Sequence, residues 1–269
     1  METGPERTAV VTGASSGIGE QIARELSRRG RHVTLVARSA DKLHALAAEL
    51  ETSGGRADVV PLDLSDRSAR AALPEHVAAL GLVVDALVNN AGLSTFGPVA
   101  SSTPDAELNM IEIDVAAVAD LCTRFVPGMI ERGHGAILNV ASTAAFQPLP
   151  GQAGYAAAKA FVLSYTQALA GELRGTGVTA TALCPGPVHT GFADNAGIPT
   201  EDAEAALPSI MWVDAPTVAK QAVDGMQRGR MVVVPGVANR VSAMLSQLAP
   251  RSLVVPLIAR RHPGLRGRP

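Results

Sequence analysis

Three side chains that together could move a proton lie in the middle of this 269-residue chain. Ser142 precedes Tyr155 by thirteen residues, and Lys159 follows Tyr155 by four. Residues four apart share one face of a helix, so the phenol and the ammonium should lie side by side. Because an ammonium favours the phenolate, Lys159 should lower the Tyr155 pKa from about 10 towards neutrality. Tyr155 could then exchange a proton with an alcohol or a ketone, while Ser142 hydrogen-bonds the substrate oxygen.

A solvated helix face is the alternative interpretation of Tyr155 and Lys159, since a long side chain often lies along a surface. The spacing from Ser142, which ends a predicted strand, favours catalysis instead. The sequence holds no Cys and His cluster with zinc spacing, so the predicted chemistry uses no metal.

A glycine-rich loop near the N-terminus predicts a nucleotide site. The run Thr12-Gly13-Ala14-Ser15-Ser16-Gly17-Ile18-Gly19 follows the first predicted strand and opens the first predicted helix. Glycine lets the backbone turn sharply and approach a pyrophosphate, while the helix N-terminus offers N–H groups to the anion. Glycine also serves packing alone in tight turns, but its place in the first strand–helix unit favours a nucleotide. The residues predicted to contact the cofactor here are Gly13, Ser15, Ser16, Gly17, Ile18 and Gly19.

The end of the second predicted strand distinguishes between the two nicotinamide cofactors. An acidic residue there would bind the ribose 2′-hydroxyl of NAD(H), whereas an arginine would accept the 2′-phosphate of NADP(H). Arg38 stands at this place, and Asp41 falls in the first turn of the next helix, behind Ser39 as its N-cap. We therefore predict NADP(H) in preference to NAD(H). A solvated surface charge is the alternative role of Arg38.

Alternating strands and helices must position these residues. The continuous apolar strands indicate burial on both faces of a parallel sheet. The pattern predicts an α/β fold, a single domain with one doubly wound parallel sheet of about seven strands. A closed eight-stranded barrel is the alternative, but it would need one more strand–helix unit. The predicted strands are 8–12, 32–36, 58–62, 85–89, 136–140, 178–183 and 231–234. The predicted helices are 18–29, 40–51, 67–80, 105–131, 153–174, 216–228 and 237–249.

Five motifs, in order and at characteristic spacings, resemble the short-chain dehydrogenase/reductase family over residues 8–234. They are Thr-Gly-x-x-x-Gly-x-Gly from Thr12, Asn89-Asn90-Ala91-Gly92, Ser142, Tyr-x-x-x-Lys from Tyr155, and Pro185-Gly186. The resemblance implies a Rossmann fold and an oxidoreductase that transfers a hydride between NADP(H) and an alcohol or ketone. It implies that Tyr155 is the general acid/base and that Lys159 also holds the nicotinamide ribose. A catalytically silent NADP(H)-binding regulatory protein of the same fold is the alternative function.

The resemblance also implies further contacts with the cofactor. Asp63 and Leu64 should meet the adenine, although Asp63 could instead be a turn residue that caps the next helix. Asn90 and Gly92 should pass close to the adenosine half, with Ala91 between them. The residues that should enclose the nicotinamide are Pro185, Gly186, Val188 and Thr190, with Thr190 reaching its carboxamide.

Asp114 departs from the family pattern, in which many members carry an asparagine whose kinked backbone holds a water against the catalytic lysine. A carboxylate near Lys159 would strengthen the ammonium and partly screen its effect on Tyr155. We expect activity to survive with an altered pH profile. A lost proton relay is the alternative.

The distribution of charge divides the chain into a body and a tail. The net charge is −2, yet residues 236–269 contain six arginines and no acidic residue, which leaves −8 for residues 1–235. We predict a cofactor-binding and catalytic domain over 1–235, with a substrate lid at 185–215, and a basic, apolar C-terminal extension over 236–269. The near-neutral total argues against a nucleic-acid partner. Two cysteines, no visible signal peptide and no long apolar run predict a cytoplasmic location.

Apolar side chains near Ser142 and in the lid indicate a hydrophobic alcohol or ketone as substrate, rather than a sugar phosphate. His189 in the lid is a candidate second acid, with polar surface as the alternative. The apolar residues are Phe146 and Leu149 on one side and Phe192, Ile198, Leu207, Ile210, Met211 and Trp212 on the other.

The tail has three possible roles. Apolar residues recur at helical spacing before Pro250, and a second apolar run at 253–258 is followed by Arg260-Arg261. The segment could pack over the substrate entrance, contact a membrane peripherally, or form a packed helix with a disordered basic end. The helices predicted at 105–131 and 153–174 match family helices that usually build a subunit interface. The resemblance therefore implies a homo-oligomer.

Overall fold

The computed structural model describes residues 6–192 and 207–265, and its described residues form one parallel sheet in the strand order β3-β2-β1-β4-β5-β6-β7. This open sheet confirms the predicted doubly wound fold, and the closed-barrel alternative is wrong. Ile198 of the predicted lid and Arg266 and Arg268 of the tail lie outside the described residues. The strands are β1 (Glu6–Thr12), β2 (His32–Ala37), β3 (Arg56–Pro61), β4 (Leu82–Asn89), β5 (Gly135–Val140), β6 (Val178–Leu183) and β7 (Val232–Val233).

The central strand β1 shows why the strands are apolar along most of their length. Val10 pairs with Thr34 of β2 and with Leu87 of β4. The Val10 side chain belongs to the core on one face of the sheet, whereas Ala9 and Val11 belong to the core on the other face. Because consecutive side chains point to opposite faces, a strand covered on both faces needs apolar residues throughout.

Helices cover both faces of the sheet. They are α1 (Gly17–Arg28), α2 (Ala40–Thr52), α3 (Arg67–Ala79), α4 (Pro104–Ile111), α5 (Ala117–Glu131), α6 (Ala153–Glu172), α7 (Ala215–Gln227), α8 (Val237–Leu248) and α9 (Arg251–Arg261). Side chains cap several of them: Asp66 accepts from two N–H groups at the start of α3, and Asp214 accepts from Thr217 N at the start of α7. Within the described ranges, no helix combines the length and the hydropathy needed to cross a bilayer.

A π-helical turn interrupts the helix predicted over 105–131. It covers Glu112–Ala116 and joins α4 to α5. The prediction of one continuous α-helix is therefore wrong at this point, because a single π turn of five residues is too short to be recognised in a periodicity that is read over 11–18 residues. A π turn adds a residue to the helical turn and rotates the following side chains, and such turns often lie at functional sites. Asp114 lies at the centre of this turn and is fully buried.

The C-terminal extension packs on the body as two helices. α8 ends before Pro250, as the sequence predicts, whereas α9 continues through Pro256. The inner face of α8 buries Asn239 and Ala243. The division between residues 1–235 and 236–269 stays a prediction.

Candidate active site

The carboxyl ends of β1 and β4 meet at the centre of the sheet, where Asn90 joins them. Asn90 Nδ2 donates to the carbonyl oxygens of Thr12 and Gly13, at 3.0 and 3.3 Å. Thr12 Oγ1 accepts from the N–H groups of Asn90 and Ala91, at 3.0 and 3.1 Å, and donates to the carbonyl of Val88. These contacts fix the loop after β1, and they leave the expected contact of Asn90 with a cofactor as a prediction.

The three glycines of the loop serve different purposes. Gly13 and Gly17 have φ angles of 64° and 60°, a conformation that favours glycine. A Cβ at position 13 would also lie 2.8 Å from Asn90 Nδ2, and a Cβ at position 19 would collide with the same atom. Gly13 and Gly17 therefore shape the turn, while Gly19 is required by packing.

The N-terminus of α1 is suited to an anion. Ser16 occupies the N-cap position between Ser15 and Gly17, but its side chain accepts no hydrogen bond from the first turn of the helix. The first-turn N–H groups, that of Ile18 among them, are thus not satisfied by this side chain. Thr190 lies opposite, since a Cβ at Gly17 would be 3.4 Å from its Cβ. The donors and the positive end of the helix dipole in this cleft fit the pyrophosphate of a dinucleotide.

Arg38 and Asp63 lie together beside the ends of β2 and β3. Arg38 is exposed directly after β2. Asp63 Oδ1 accepts from Ser65 N at 2.9 Å and from Ser65 Oγ at 2.8 Å. These hydrogen bonds, with the nearby charge of Arg38, hold the Asp63 pKa below its usual value although burial opposes them. Asp63 therefore shapes a turn, while Asp66 caps α3. The Leu64 side chain is buried in the core and its carbonyl oxygen accepts from Arg70 Nη1, so its contact with the adenine stays a prediction.

The structure brings Ser142, Tyr155 and Lys159 together, as the sequence predicts. Ser142 follows β5, and its Oγ accepts from Ala144 N at 3.1 Å, which leaves the hydroxyl proton for another acceptor. α6 carries Tyr155 and, one turn later, Lys159, whose Nζ lies 5.6 Å from the centre of the Tyr155 ring. Lys159 Nζ also donates to the carbonyl of Val140 at 3.1 Å, which ties α6 to the end of β5.

Asp114 contacts Lys159 inside the protein. Its Oδ2 lies 2.9 Å from Lys159 Nζ, and both side chains are buried. Its Oδ1 accepts from Leu93 N at 2.7 Å. Gly92 passes so close that a Cβ there would lie 3.1 Å from Asp114 Oδ2 and 3.2 Å from Lys159 Nζ. Asp114 is therefore a direct charge partner of Lys159, and Gly92 packs against this ion pair.

The proton affinities of these groups follow from burial and from the ion pair. Burial raises the pKa of Tyr155, and the Asp114 charge adds to this, whereas Lys159 and a hydrogen bond with Ser142 lower it by less. Burial alone would lower the pKa of Lys159. The negative charges of Asp114 and Tyr155 together have a larger effect in the opposite direction, so the Lys159 pKa lies above its usual value. Burial raises the pKa of Asp114 more than Lys159 lowers it. Lys159 thus acts in the expected direction on Tyr155, but in the protein alone it does not bring the phenol towards neutrality.

The segment after β6 lies across from Tyr155. Pro185 accepts a backbone hydrogen bond from Thr143 at 2.9 Å, which joins this segment to the loop after Ser142. Val188 packs on the core. The ring of Phe192 lies 5.9 Å from the ring of Tyr155. Of the predicted lid, the structure describes residues 185–192 and 207–215.

Apolar side chains surround this opening, with one exception. Leu207 and Ile210 are exposed on the segment before α7, and Trp212 stacks on His189 with 4.3 Å between the ring centres. Phe146, expected in the pocket wall, is instead buried in the core beneath the site. It faces inward because it ends a short 3₁₀ turn over Thr143–Phe146.

The C-terminal extension borders the same opening. Asn239 Nδ2, on the inner face of α8, donates to the carbonyls of Met211 at 2.9 Å and Pro235 at 3.0 Å. Ser246 Oγ, further along α8, donates to Gln147 Oε1 at 2.9 Å. α8 therefore holds the 207–213 segment and the loop after Ser142 next to each other.

His262, after α9, closes one side of the site. Its ring lies 5.5 Å from that of Phe96, and its Nε2 lies 3.2 Å from Gln152 Oε1. Burial lowers the His262 pKa. Gly151 has a φ angle of 92°, and a Cβ there would collide with the His262 ring. This end of the tail therefore packs against the loops around Phe96 and Gly151, and the choice among its three predicted roles stays a prediction.

Sequence reasoning missed three residues that shape the site. Thr12 stood in the glycine motif, but only the structure shows its hydroxyl holding two strand ends together. Asn239 and His262 had no recognisable signal, because their contacts join segments that are far apart along the chain.

Comparison with known proteins gives the family context. Residues 7–199 match the family model described as short chain dehydrogenase. The chain is 38% identical over 186 residues to a short chain dehydrogenase of Pseudocercospora fijiensis, over 68% of this chain and 60% of that protein. It is 30% identical over 249 residues to the ketoacyl reductase HetN of Nostoc sp., over 92% of this chain and 84% of that protein. The aligned region thus spans less than two thirds of the fungal relative.

Solved structures extend the comparison. A short-chain dehydrogenase from Sphingobium yanoikuyae in complex with NADPH matches with a TM-score of 0.79 and 31% identity, over 93% of this chain and 95% of that one. Other solved structures similar to this chain contain NADPH or NADP.

Proposed function

Because the chain belongs to the short-chain dehydrogenase family, whose members act on CH–OH or ketone groups with NAD(P), we propose that it reduces an apolar ketone with Tyr155 as the general acid. In the reverse direction Tyr155 would be the general base for alcohol oxidation. The observation that carries the proposal is the convergence of Ser142, Tyr155 and Lys159 at the junction of β5 and α6.

The hydroxyl groups of Ser142 and Tyr155 act on the substrate oxygen. Ser142 is oriented by Ala144 N and keeps its own proton to donate, so it stabilises negative charge on that oxygen. Tyr155 gives its proton to the same oxygen as the ketone becomes an alcohol. The bound cofactor supplies the hydride. A raised Tyr155 pKa keeps the phenol protonated near neutral pH, which is the form that donates a proton to a ketone oxygen.

NADP(H) is the proposed cofactor, in preference to NAD(H). Arg38 supports this preference because it is exposed after β2, where a 2′-phosphate would lie. The open N-terminus of α1 supports a pyrophosphate site. The proposed contacts are Gly13, Ser15, Ser16, Gly17, Ile18, Gly19, Arg38, Asp63, Leu64, Asn90, Ala91, Gly92, Tyr155, Lys159, Pro185, Gly186, Val188 and Thr190.

The proposed substrate is a ketone with an apolar body. Phe192, Leu207, Ile210 and Trp212 around the opening support this class. A 3-oxoacyl thioester is the first candidate, since one relative is named a ketoacyl reductase.

NADPH oxidation by purified protein tests the proposal. The panel contains 3-oxoacyl thioesters of increasing length, apolar cyclic ketones and a polyhydroxy ketone, each with NADPH and with NADH. We expect the apolar ketones and NADPH to give the highest kcat/KM. Tyr155→Phe should lower kcat by about 10²- to 10⁴-fold, because only the proton donor is removed.

Tyr165→Phe is the matched control, since Tyr165 also lies on α6 but stacks on Phe161 instead of facing Ser142. Unchanged NADPH binding in both variants would show intact folds. Unchanged turnover in Tyr155→Phe would contradict the proposed role and favour an NADP(H)-binding regulator.

Assembly and location stay predictions. A homo-oligomer is supported by exposed apolar residues on α4 and α6, namely Leu108, Ile111 and Phe161. A cytoplasmic location is supported by Cys122 and Cys184, which are both free thiols buried in the core.

A further inference from the structure

The two C-terminal helices present an apolar surface to solvent. Met244 and Leu248 of α8 are 65% and 81% exposed, and Leu253 of α9 is 70% exposed. We call this surface the outer face. On α8 the exposed apolar residues recur at helical spacing and therefore share one side of that helix, and exposed clusters of large apolar side chains often mark binding sites. The outer face consists of Val237, Val241, Met244, Leu245, Leu248, Leu253 and Leu257.

Positive charge accompanies this apolar surface. Arg240, Arg251 and Arg260 are exposed on the same two helices. Asp224 is the last acidic residue of the sequence, so α8 and α9 contain no carboxylate. An amphipathic helix with arginine and large apolar side chains is typical of segments that lie in the interface of a bilayer.

The combination of apolar side chains and arginines helps to decide whether the outer face binds a second copy of the chain or a lipid surface. In a two-fold symmetric pair the outer face would meet itself, and arginines would approach arginines without an acidic partner. Anionic lipid headgroups instead attract each arginine, while the acyl boundary accepts the apolar side chains. Charge therefore favours an anionic lipid surface.

We propose that the outer face docks on the surface of an anionic lipid bilayer. The docking itself rests on α8 and α9 and does not depend on the chemistry of Tyr155, whereas the orientation of the active site towards the lipid rests on the proposed function. The inner face of α8 holds Met211 and Gln147 beside the active site, and Ile210, next to Met211, is 77% exposed. Docking would thus bring the entrance of the site to the lipid surface, where an apolar substrate concentrates.

Vesicle flotation of the full chain tests the proposal. The vesicles are phosphatidylcholine alone and phosphatidylcholine mixed with phosphatidylglycerol. We expect flotation with the mixed vesicles only, decreasing as salt is added, because salt screens the attraction. The combined change Arg240→Gln, Arg251→Gln and Arg260→Gln should weaken partitioning by about 100-fold. The combined change Val241→Ser, Met244→Ser and Leu248→Ser should also abolish flotation, since it removes the apolar contact.

Two control variants remove the same kinds of side chain from other parts of the surface. Arg7→Gln, Lys42→Gln and Arg174→Gln together remove three charges. Leu80→Ser, Val99→Ser and Ile130→Ser together remove three exposed apolar side chains. Both controls should float like the wild type.

Three results would overturn the proposal. They are no flotation of the wild type, equal flotation of the outer-face variants and their controls, or equal binding to neutral and anionic vesicles. A lower oligomeric mass of the apolar variant without lipid would identify a second copy as the occupant instead. NADPH binding and ketone turnover are measured in parallel with flotation. A failure of lipid binding can then be distinguished from a failure of the proposed enzymatic function.

The fluorescence of Trp212 can test whether the entrance of the active site faces the lipid surface. It is the only tryptophan of the chain, so its fluorescence reports one position next to the lid. Brominated phosphatidylglycerol in the vesicles should quench it if the entrance meets the lipid. Flotation without quenching would overturn this orientation.

Discussion

Asp114 and Lys159 determine the charge beside the Tyr155 phenol, the proposed general acid. A buried ion pair of this kind is costly to disrupt, because removal of one partner leaves the other charge in a medium of low polarity. The Asp114 carboxylate raises the pKa of Lys159 and also that of Tyr155. An asparagine at this position would keep the size of the side chain but remove the charge.

Asp114→Asn should shift the pH profile of alcohol oxidation. Oxidation needs the phenolate, so its rate increases as pH rises through the Tyr155 pKa. Removal of the negative charge lowers that pKa, and log kcat should begin to rise at lower pH than in the wild type. Glu112→Gln is the control, since Glu112 lies in the same π turn but pairs with Arg67 and Arg70. Superimposable curves for Asp114→Asn and wild type would contradict the prediction.

The sequence alone predicted that Ser142, Tyr155 and Lys159 lie together, but not the electrostatic balance among them. Residue type and spacing were enough to place Tyr155 beside Lys159, because one helix carries both. The direction of the Tyr155 pKa depends on burial and on Asp114, which reaches the site from another helix. Both are properties of packing between distant segments, and a motif does not contain them.

Among the structural elements, α8 is held to the body by a buried polar contact. Asn239 is fully buried and donates to two carbonyls, one of them in the 207–213 segment. Gly186, in the proposed nicotinamide wall, has no room for a Cβ because Asn239 fills that space. Asn239 thus ties α8 to the 207–213 segment and to Gly186, both within the predicted lid.

Asn239→Ala should destabilise both α8 and the 207–213 segment. Loss of two buried hydrogen bonds should lower the free energy of unfolding by about 1–3 kcal/mol. Amide exchange should accelerate in α8 and in residues 207–213, and KM for the ketone should rise. Gln247→Ala is the control on the same helix, because Gln247 bonds only to Ala243 one turn away. Unchanged exchange at 207–213 would show that Asn239 does not anchor the lid.

Strands and helices with a clear hydrophobic pattern could be predicted from the sequence, whereas short or irregular elements could not. β6 begins and ends where the sequence predicts, since its apolar run is bounded by turns. The π turn at Glu112–Ala116 and the two-residue strand β7 depend on tertiary contacts rather than on local periodicity. The same limit explains why Phe146 is in the core although its neighbours line the site.

For the whole molecule, the exposed apolar residues considered above lie on two separate sets of helices. Leu108, Ile111 and Phe161 lie on α4 and α6, on elements that carry no part of the outer face of α8 and α9. An interface between copies on α4 and α6 would leave α8 and α9 available to a lipid surface.

The double change Leu108→Glu and Phe161→Glu should reduce the oligomeric mass, because it places charges in the proposed subunit interface. Sedimentation velocity without lipid measures this mass. Leu80→Glu, at the end of α3, is the control and should leave the mass unchanged. A monomeric wild type, or an unchanged mass in the double variant, would contradict this interface.

The contact between Gly151 and His262 has a consequence for chimeric enzymes. A tail that carries a bulky ring at this point requires a glycine at position 151 and an aromatic partner at Phe96. A designer who grafts residues 236–265 onto a related dehydrogenase would therefore have to transplant the loops around 96 and 151 in the same exchange. The tail and these two loops therefore have to be exchanged together. We expect substrate preference to depend on all three segments rather than on any single loop.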